Sequence, residues 1–239
     1  MGKKDKFIDI SYDVRNDSNG RDPDKYSRVL KSYHKKLWSK LLPNGKLFDL
    51  NDNNPSTYLY HKSELGEFFL SSDCIIHEYS NWKRMRYIIE KIPKDEMDNF
   101  LYLSYTIGGS IIFPSNSINS LPTINQARGC NKKICDRIDL TLECIRLYYL
   151  GKNSPLKDTL QRYDNFFKLF KNFQGYCEFF LLQDLTLDNY SKINFFLPFE
   201  SFDSSPLPGS VSEYNEYKRN NIKFIVNRNK RIEEYDNQN

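Results

Sequence analysis

Thr123–Leu150, TINQARGCNKKICDRIDLTLECIRLYYL, is the stretch on which the fold reading turns. Gly129 releases the chain into a long helix over about Lys133–Leu150, and Gly151 stops it. On a wheel of about 100° per residue, Ile134, Ile138, Leu142, Ile145 and Tyr149 form one apolar face, with Leu140 and Leu147 nearly opposite. A helix apolar on two sides is buried on both. Asp136, Asp139 and Glu143 fall beside Leu140 and Leu147, which puts three carboxylates on one stripe of a buried helix. Buried charge is costly unless paired, and Arg128, Arg137, Arg146 and Arg162 are the partners within reach.

Upstream, Asp22-Pro23-Asp24 reads as an N-cap, a proline at the first helical position and a first-turn acid. The helix it opens is expected to run to about Lys40. Thr57–Tyr60 and Phe68–Ile76 read as strands around the turn Ser63–Gly66. Helices are expected from Ser80 and from Pro93, the second ended by Gly108-Gly109. Ser110–Pro114 is a short strand, against which Thr123–Asn125 is expected to pair. Downstream, Ser154-Pro155 opens a helix with an aromatic face, Tyr176–Leu185 fits a helix or a strand, and Lys192–Leu197 reads as a strand. Ser210 and Glu213 form a capping box for a last helix to about Tyr235. Strands and helices mix without a βαβ rhythm. The expected fold is therefore α+β, a predominantly helical domain with a small antiparallel sheet. Residues 1–239 read as one domain with flexible ends at 1–6 and 236–239.

Hydrophobic residues make up only 39%, but 17 Tyr and 17 Phe can each bury about 150–250 Å², so a core is within reach. The net charge of +4 is a weak basic bias that permits nucleic acid without indicating it. No 18-residue apolar run is present, which predicts no membrane span. The N-terminus lacks the apolar region of a signal peptide, and Gly2 is followed at position 6 by Lys where a myristoylation motif wants Ser or Thr. Five scattered cysteines then predict reduced thiols and a cytoplasmic location.

No phosphate-loop, dinucleotide, zinc-protease or serine-hydrolase motif is present, so the sequence names no reaction. His34, His61 and His77 lie on separate elements and read as structural residues. Glu64 and Glu67 read as solvated turn acids. Lys218, Arg219, Lys223, Arg228, Lys230 and Arg231 on the last helix are a weak candidate for tracking a phosphate backbone. A solvated helix face is the plainer reading of them. The leading candidate is the loop–helix junction 123–146, where Asn125, Arg128, Asp136, Arg137, Asp139 and Glu143 converge.

Ile112-Phe113-Pro114-Ser115-Asn116, Ala127-Arg128-Gly129, Asp136–Arg146 (DRIDLTLECIR) and Phe179–Leu185 (FFLLQDL) together resemble an uncharacterised family of bacterial proteins. So do Asp22-Pro23-Asp24 and Ser63–Phe68. The resemblance implies a free-standing single-domain protein and carries no activity or ligand. The residues themselves suggest a binding protein for a small anionic or nucleotide-like ligand at the junction, without a cofactor. One alternative is a Mg²⁺-dependent enzyme acting on nucleic acid or a phosphoester, with the metal at Asp136, Asp139 and Glu143. Another is a protein-interaction module of defence or mobile-element origin.

Overall fold

A computed structural model describes residues 7–52 and 58–238. The expected start of the first strand at Thr57, the expected flexible end at 1–6 and residue 239 lie outside them. The described chain is α+β and mostly helical. Its helices are α1 (Pro23–Tyr26), α2 (Arg28–Trp38), α3 (Arg86–Ile89), α4 (Lys94–Ser104), α5 (Ile124–Cys130), α6 (Ile138–Tyr149), α7 (Lys157–Arg162), α8 (Asp164–Lys168), α9 (Phe173–Phe179) and α10 (Val211–Gln238). Strands β1 (Leu59–Ser63), β2 (Gly66–Cys74) and β3 (Ser110–Pro114) form an antiparallel sheet with β2 in the middle, while β4 (Thr186–Leu187) and β5 (Lys192–Ile193) form a two-residue ribbon.

The region 123–137 departs most from the sequence reading. Thr123 does not start a strand. Its hydroxyl accepts the Gln126 amide hydrogen, and the Gln126 side chain accepts the Thr123 N–H at 2.9 Å. This capping box starts α5 and satisfies two otherwise unpaired donors. The long helix then begins at Ile138 rather than Lys133. Cys135 and Asp136 stand in left-handed conformations, with φ of 48° and 63°, which breaks any helix running through them. Asp136 is therefore not on the helix with Asp139 and Glu143.

The expected helix from Asp22 is likewise divided. Ser27 adopts an extended conformation, and its hydroxyl accepts the Leu30 N–H at 3.0 Å, capping α2 anew. The expected helix from Ser154 divides into α7 and α8. The Tyr176–Leu185 segment is α-helical to Phe179 and ends in a 3-10 turn at Gln183–Leu185, and the strand expected over Lys192–Leu197 is confined to β5. The last helix starts where the capping box put it: Ser210 Oγ accepts the Glu213 N–H at 3.1 Å.

One hydrophobic cluster links Ile8 to Ile232. Trp38, Phe48, Phe170, Tyr176, Phe179 and Phe180 meet there at ring separations of 4.9–6.4 Å. The 28-residue α10, about 42 Å long at 1.5 Å per residue, closes this core over α3, α4 and the Gly108-Gly109 turn. Asp236, near its end, is buried and takes the Ile8 N–H at 2.8 Å and the Lys36 ammonium at 2.6 Å. Among the described residues no helix is long and apolar enough to cross a membrane.

Candidate functional site

At the junction 123–146 each carboxylate is held by its own arginine. Arg128, fully buried on α5, forms an ion pair with Asp73 of β2 and lies 3.3 Å from Asp136 Oδ1. Its remaining N–H groups go to the Asp136 carbonyl at 3.1 Å, the Ile75 carbonyl at 3.4 Å and Thr141 Oγ1 at 3.3 Å. Burial pulls the Arg128 pKa down, but Asp136 and Asp73 outweigh it and hold the guanidinium above its ordinary value. Burial pushes Asp73 well above the usual carboxylate range; Arg128 opposes this, and Asp136 and Asp24 add to it.

Asp139 is completely buried and accepts two hydrogen bonds from Arg137, at 3.1 and 2.5 Å. Its second oxygen also takes the Phe196 N–H at 2.8 Å. Arg137 spends another donor on the Pro206 carbonyl at 2.8 Å. Glu143 is held by Arg146 through bonds of 2.7 and 2.8 Å. These are bidentate, charge-assisted pairs whose partners compensate one another's desolvation. Asn125 donates to Ser71 Oγ at 3.4 Å, while its own Oδ1 is buried and meets no donor among the described residues. The junction thus brings Asn125, Arg128 and Asp136 together beside β2, and ties Arg137, Asp139 and Glu143 into α6 and the chain around Phe196 and Pro206. Among the described residues no group of three acids, cysteines or histidines is arranged to hold a metal ion.

The six cations of α10 do not form one stripe. Arg228 is fully buried; it donates to the carbonyls of Gly108, Ser110 and Phe180 at 2.7–3.3 Å and lies over the Trp38 ring. Burial lowers its pKa to about 9. Lys218 is buried against Glu96. Arg231 is paired with Asp184 at 2.7 Å, and Lys230 lies 3.9 Å from Glu234. Arg219 and Lys223 are exposed.

The three histidines are structural in their contacts. His34 is fully buried, accepts the Trp38 indole N–H at 2.9 Å and donates to Ser72 Oγ at 2.8 Å. Burial, with Arg228 adding, lowers its pKa to about 3. His61 Nδ1 donates to the Asp49 carbonyl at 3.0 Å, and the ring stacks on Phe48. His77 Nδ1 accepts the Tyr79 N–H at 3.0 Å.

A different polar cleft, of about 340 Å³, lies between α10 and the β4–β5 ribbon. Gln183, Asn194, Asn220 and Asn227 line it with Lys223, with Phe195, Phe196 and Phe224, and with Asp184, whose carboxylate is paired with Arg231. Asn220 donates to the Phe196 carbonyl at 2.8 Å, and Asn194 donates to the Asp184 carbonyl at 3.1 Å. Their amide oxygens are thereby turned away from those bonds. Gln183 Oε1 is buried and meets no donor among the described residues. The sequence reading did not single out these amides. The available signal was the spacing of Asn220, Lys223, Phe224 and Asn227, at i, i+3, i+4 and i+7, which puts them on one helix face.

Comparison with curated proteins and with solved structures found no match. The profile of a family of unknown function, DUF6994, matches residues 8–232, nearly the whole span that the fold above describes, and the chain belongs to that family.

Proposed function

We propose that the protein binds a small nucleotide-like ligand in the cleft between α10 and the β4–β5 ribbon. The observation that carries this reading is the convergence of four side-chain amides in one cleft beside three phenylalanines. A primary amide offers a donor and an acceptor side by side, which matches the edge of a nucleobase. Phe195, half-buried, supplies a flat face for the base. Lys223 stands exposed among the lining residues, where it suits a phosphate. The volume lies at the lower end of the range of about 300–1,000 Å³ usual for small-molecule sites, enough for a mononucleotide and not for an extended strand. The arginines of the junction 123–146 are committed to internal carboxylates, which favours this cleft over the junction as the seat of an anionic group.

Thermal unfolding with adenosine, the four nucleoside monophosphates and ribose 5-phosphate tests the reading. At about a hundredfold excess over Kd a bound ligand adds about 2.7 kcal/mol, a clear rise in Tm. Asn227→Leu is expected to weaken nucleoside and nucleotide alike by about tenfold, the scale of one lost base contact. Lys223→Ala should weaken only the phosphorylated ligands. A melting temperature unmoved by every nucleoside and nucleotide at millimolar concentration would sink the proposal.

A further inference from the structure

Lys40 lies just beyond α2. Its ammonium nitrogen sits 4.6 Å from the centre of the Tyr235 ring, 4.8 Å from Phe179 and 5.1 Å from Trp38. Three aromatic rings from three elements thus flank one half-buried lysine. No carboxylate among the described residues pairs with it, whereas the buried Arg128, Arg137 and Lys218 each have such a partner. Arg228, over the same Trp38 ring, adds a like charge instead. Lys40 also lines a cleft of about 520 Å³ with Leu41, Leu42, Pro43, Asn172, Glu178 and Phe179. A lysine that is desolvated and placed beside a second cation gains a neutral, nucleophilic amine.

We propose that Lys40 is a reactive amine that condenses with a small aldehyde or ketone admitted through this cleft. In the step, the nitrogen lone pair attacks the carbonyl carbon and the carbonyl oxygen takes up a proton. The carbinolamine then loses water, leaving a C=N bond to Lys40. No oxidant or reductant is needed. Glu178 lines the same cleft, with its Oε1 accepting from Gln174 at 2.8 Å and Tyr190 at 3.1 Å, and is the carboxylate on hand to exchange protons with the carbinolamine oxygen. Leu42, Pro43 and Phe179 favour an apolar carbon chain on the carbonyl compound.

The charge balance agrees with the geometry. Burial, with Arg228 adding to it, lowers the Lys40 pKa to about 7. The three ring faces pull the other way, toward the ammonium form. The other charged and titratable groups around the cleft are Lys171, Glu178 and Tyr235. About half of the Lys40 amines are then neutral at pH 7, whereas an exposed lysine is almost wholly protonated.

The test is reductive alkylation of the intact protein with propanal and cyanoborohydride, with adduct positions and rates read by mass spectrometry between pH 6 and 9. Lys40 should be modified at least about tenfold faster at pH 7 than the exposed Lys83 and Lys223, given its larger neutral fraction. Its rate should level off above a midpoint near 7, where those of the exposed lysines keep rising. Lys40→Arg should remove this fast adduct alone. Since the rates are measured on the native chain, the test does not depend on the variant folding. Modification of Lys40 no faster than Lys83 across the pH range would overturn the proposal and leave the cage a structural cation–π contact.

Discussion

The Asp24 carboxylate accepts the Cys74 N–H of β2 at 3.3 Å and a hydrogen bond from Ser72, whose hydroxyl in turn receives the His34 N–H. Burial, with Asp22 adding, raises its pKa to about 6, from an ordinary 3.8. An acid whose folded pKa is raised binds its proton more tightly in the native state than in the unfolded one. Its contribution is therefore most favourable below pH 4 and is lost as pH rises through about 6. Asp24 keeps part of its surface in water, so the full shift overstates the effect, and a loss of about 1–2 kcal/mol is expected. Asp24→Asn keeps an acceptor for Cys74 and cannot ionise. Urea unfolding should show the variant gaining about 1–2 kcal/mol on the wild type between pH 4.5 and 7.5. A constant difference across that range would refute this assignment.

At the scale of elements, Gly108-Gly109 illustrates what a motif search passes over. The pair is too short to indicate a phosphate loop, and the sequence reading took it only as a helix end. In the fold it is the seat of α10. A Cβ on Gly108 would stand 2.5 Å from Asn229 Oδ1 and 2.8 Å from the Ile225 carbonyl. The bare backbone instead donates its N–H to Asn229 at 2.8 Å, and its carbonyl accepts from Arg228 at 2.8 Å. Gly108→Ala is expected to cost about 2–4 kcal/mol in urea unfolding, because backbone and a buried amide must both shift. Gly151→Ala is the control. That residue is left-handed with φ of 66° and open space around it, so only the conformational cost of about 1 kcal/mol applies. Equal losses for the two variants would remove the close approach as the cause.

At the scale of the molecule, Arg128 joins β2, the chain at Ile75, the left-handed turn at Asp136 and α6 through a single side chain. Its removal leaves Asp73 and Asp136 facing each other with no cation between them. Arg128→Ala should lower stability by about 3–5 kcal/mol. Asp73→Asn in the same background should recover part of it, since one unpaired charge is then gone. A loss below about 1 kcal/mol, the scale of an exposed pair, would mean that this guanidinium does not brace the fold.

Local chemistry made several elements readable from residues alone. Ser210-x-x-Glu213 fixed the start of α10, Ser63–Gly66 fixed the β1–β2 hairpin, and the aromatic spacing of 156–170 marked side chains that are buried, although the helix expected to carry them divides into α7 and α8. These depend on hydrogen bonds and contacts within a few residues of one another. The same kind of signal was present but unread at Thr123-x-x-Gln126, where a capping box turns an expected strand into α5. By itself the sequence also determined that Asp139 and Glu143 would need arginines, because a carboxylate on a helix buried on both sides has no water to solvate it. It could not determine which arginine serves which acid, since Cys135 and Asp136 leave the helix through left-handed backbone and send Arg128 across to Asp73, 55 residues away. The amide cleft and the Lys40 cage were equally out of reach. Each gathers residues more than thirty positions apart. Only the packing of distant elements against one another brings them within contact distance, because burial energy depends on which surfaces meet and not on their order along the chain.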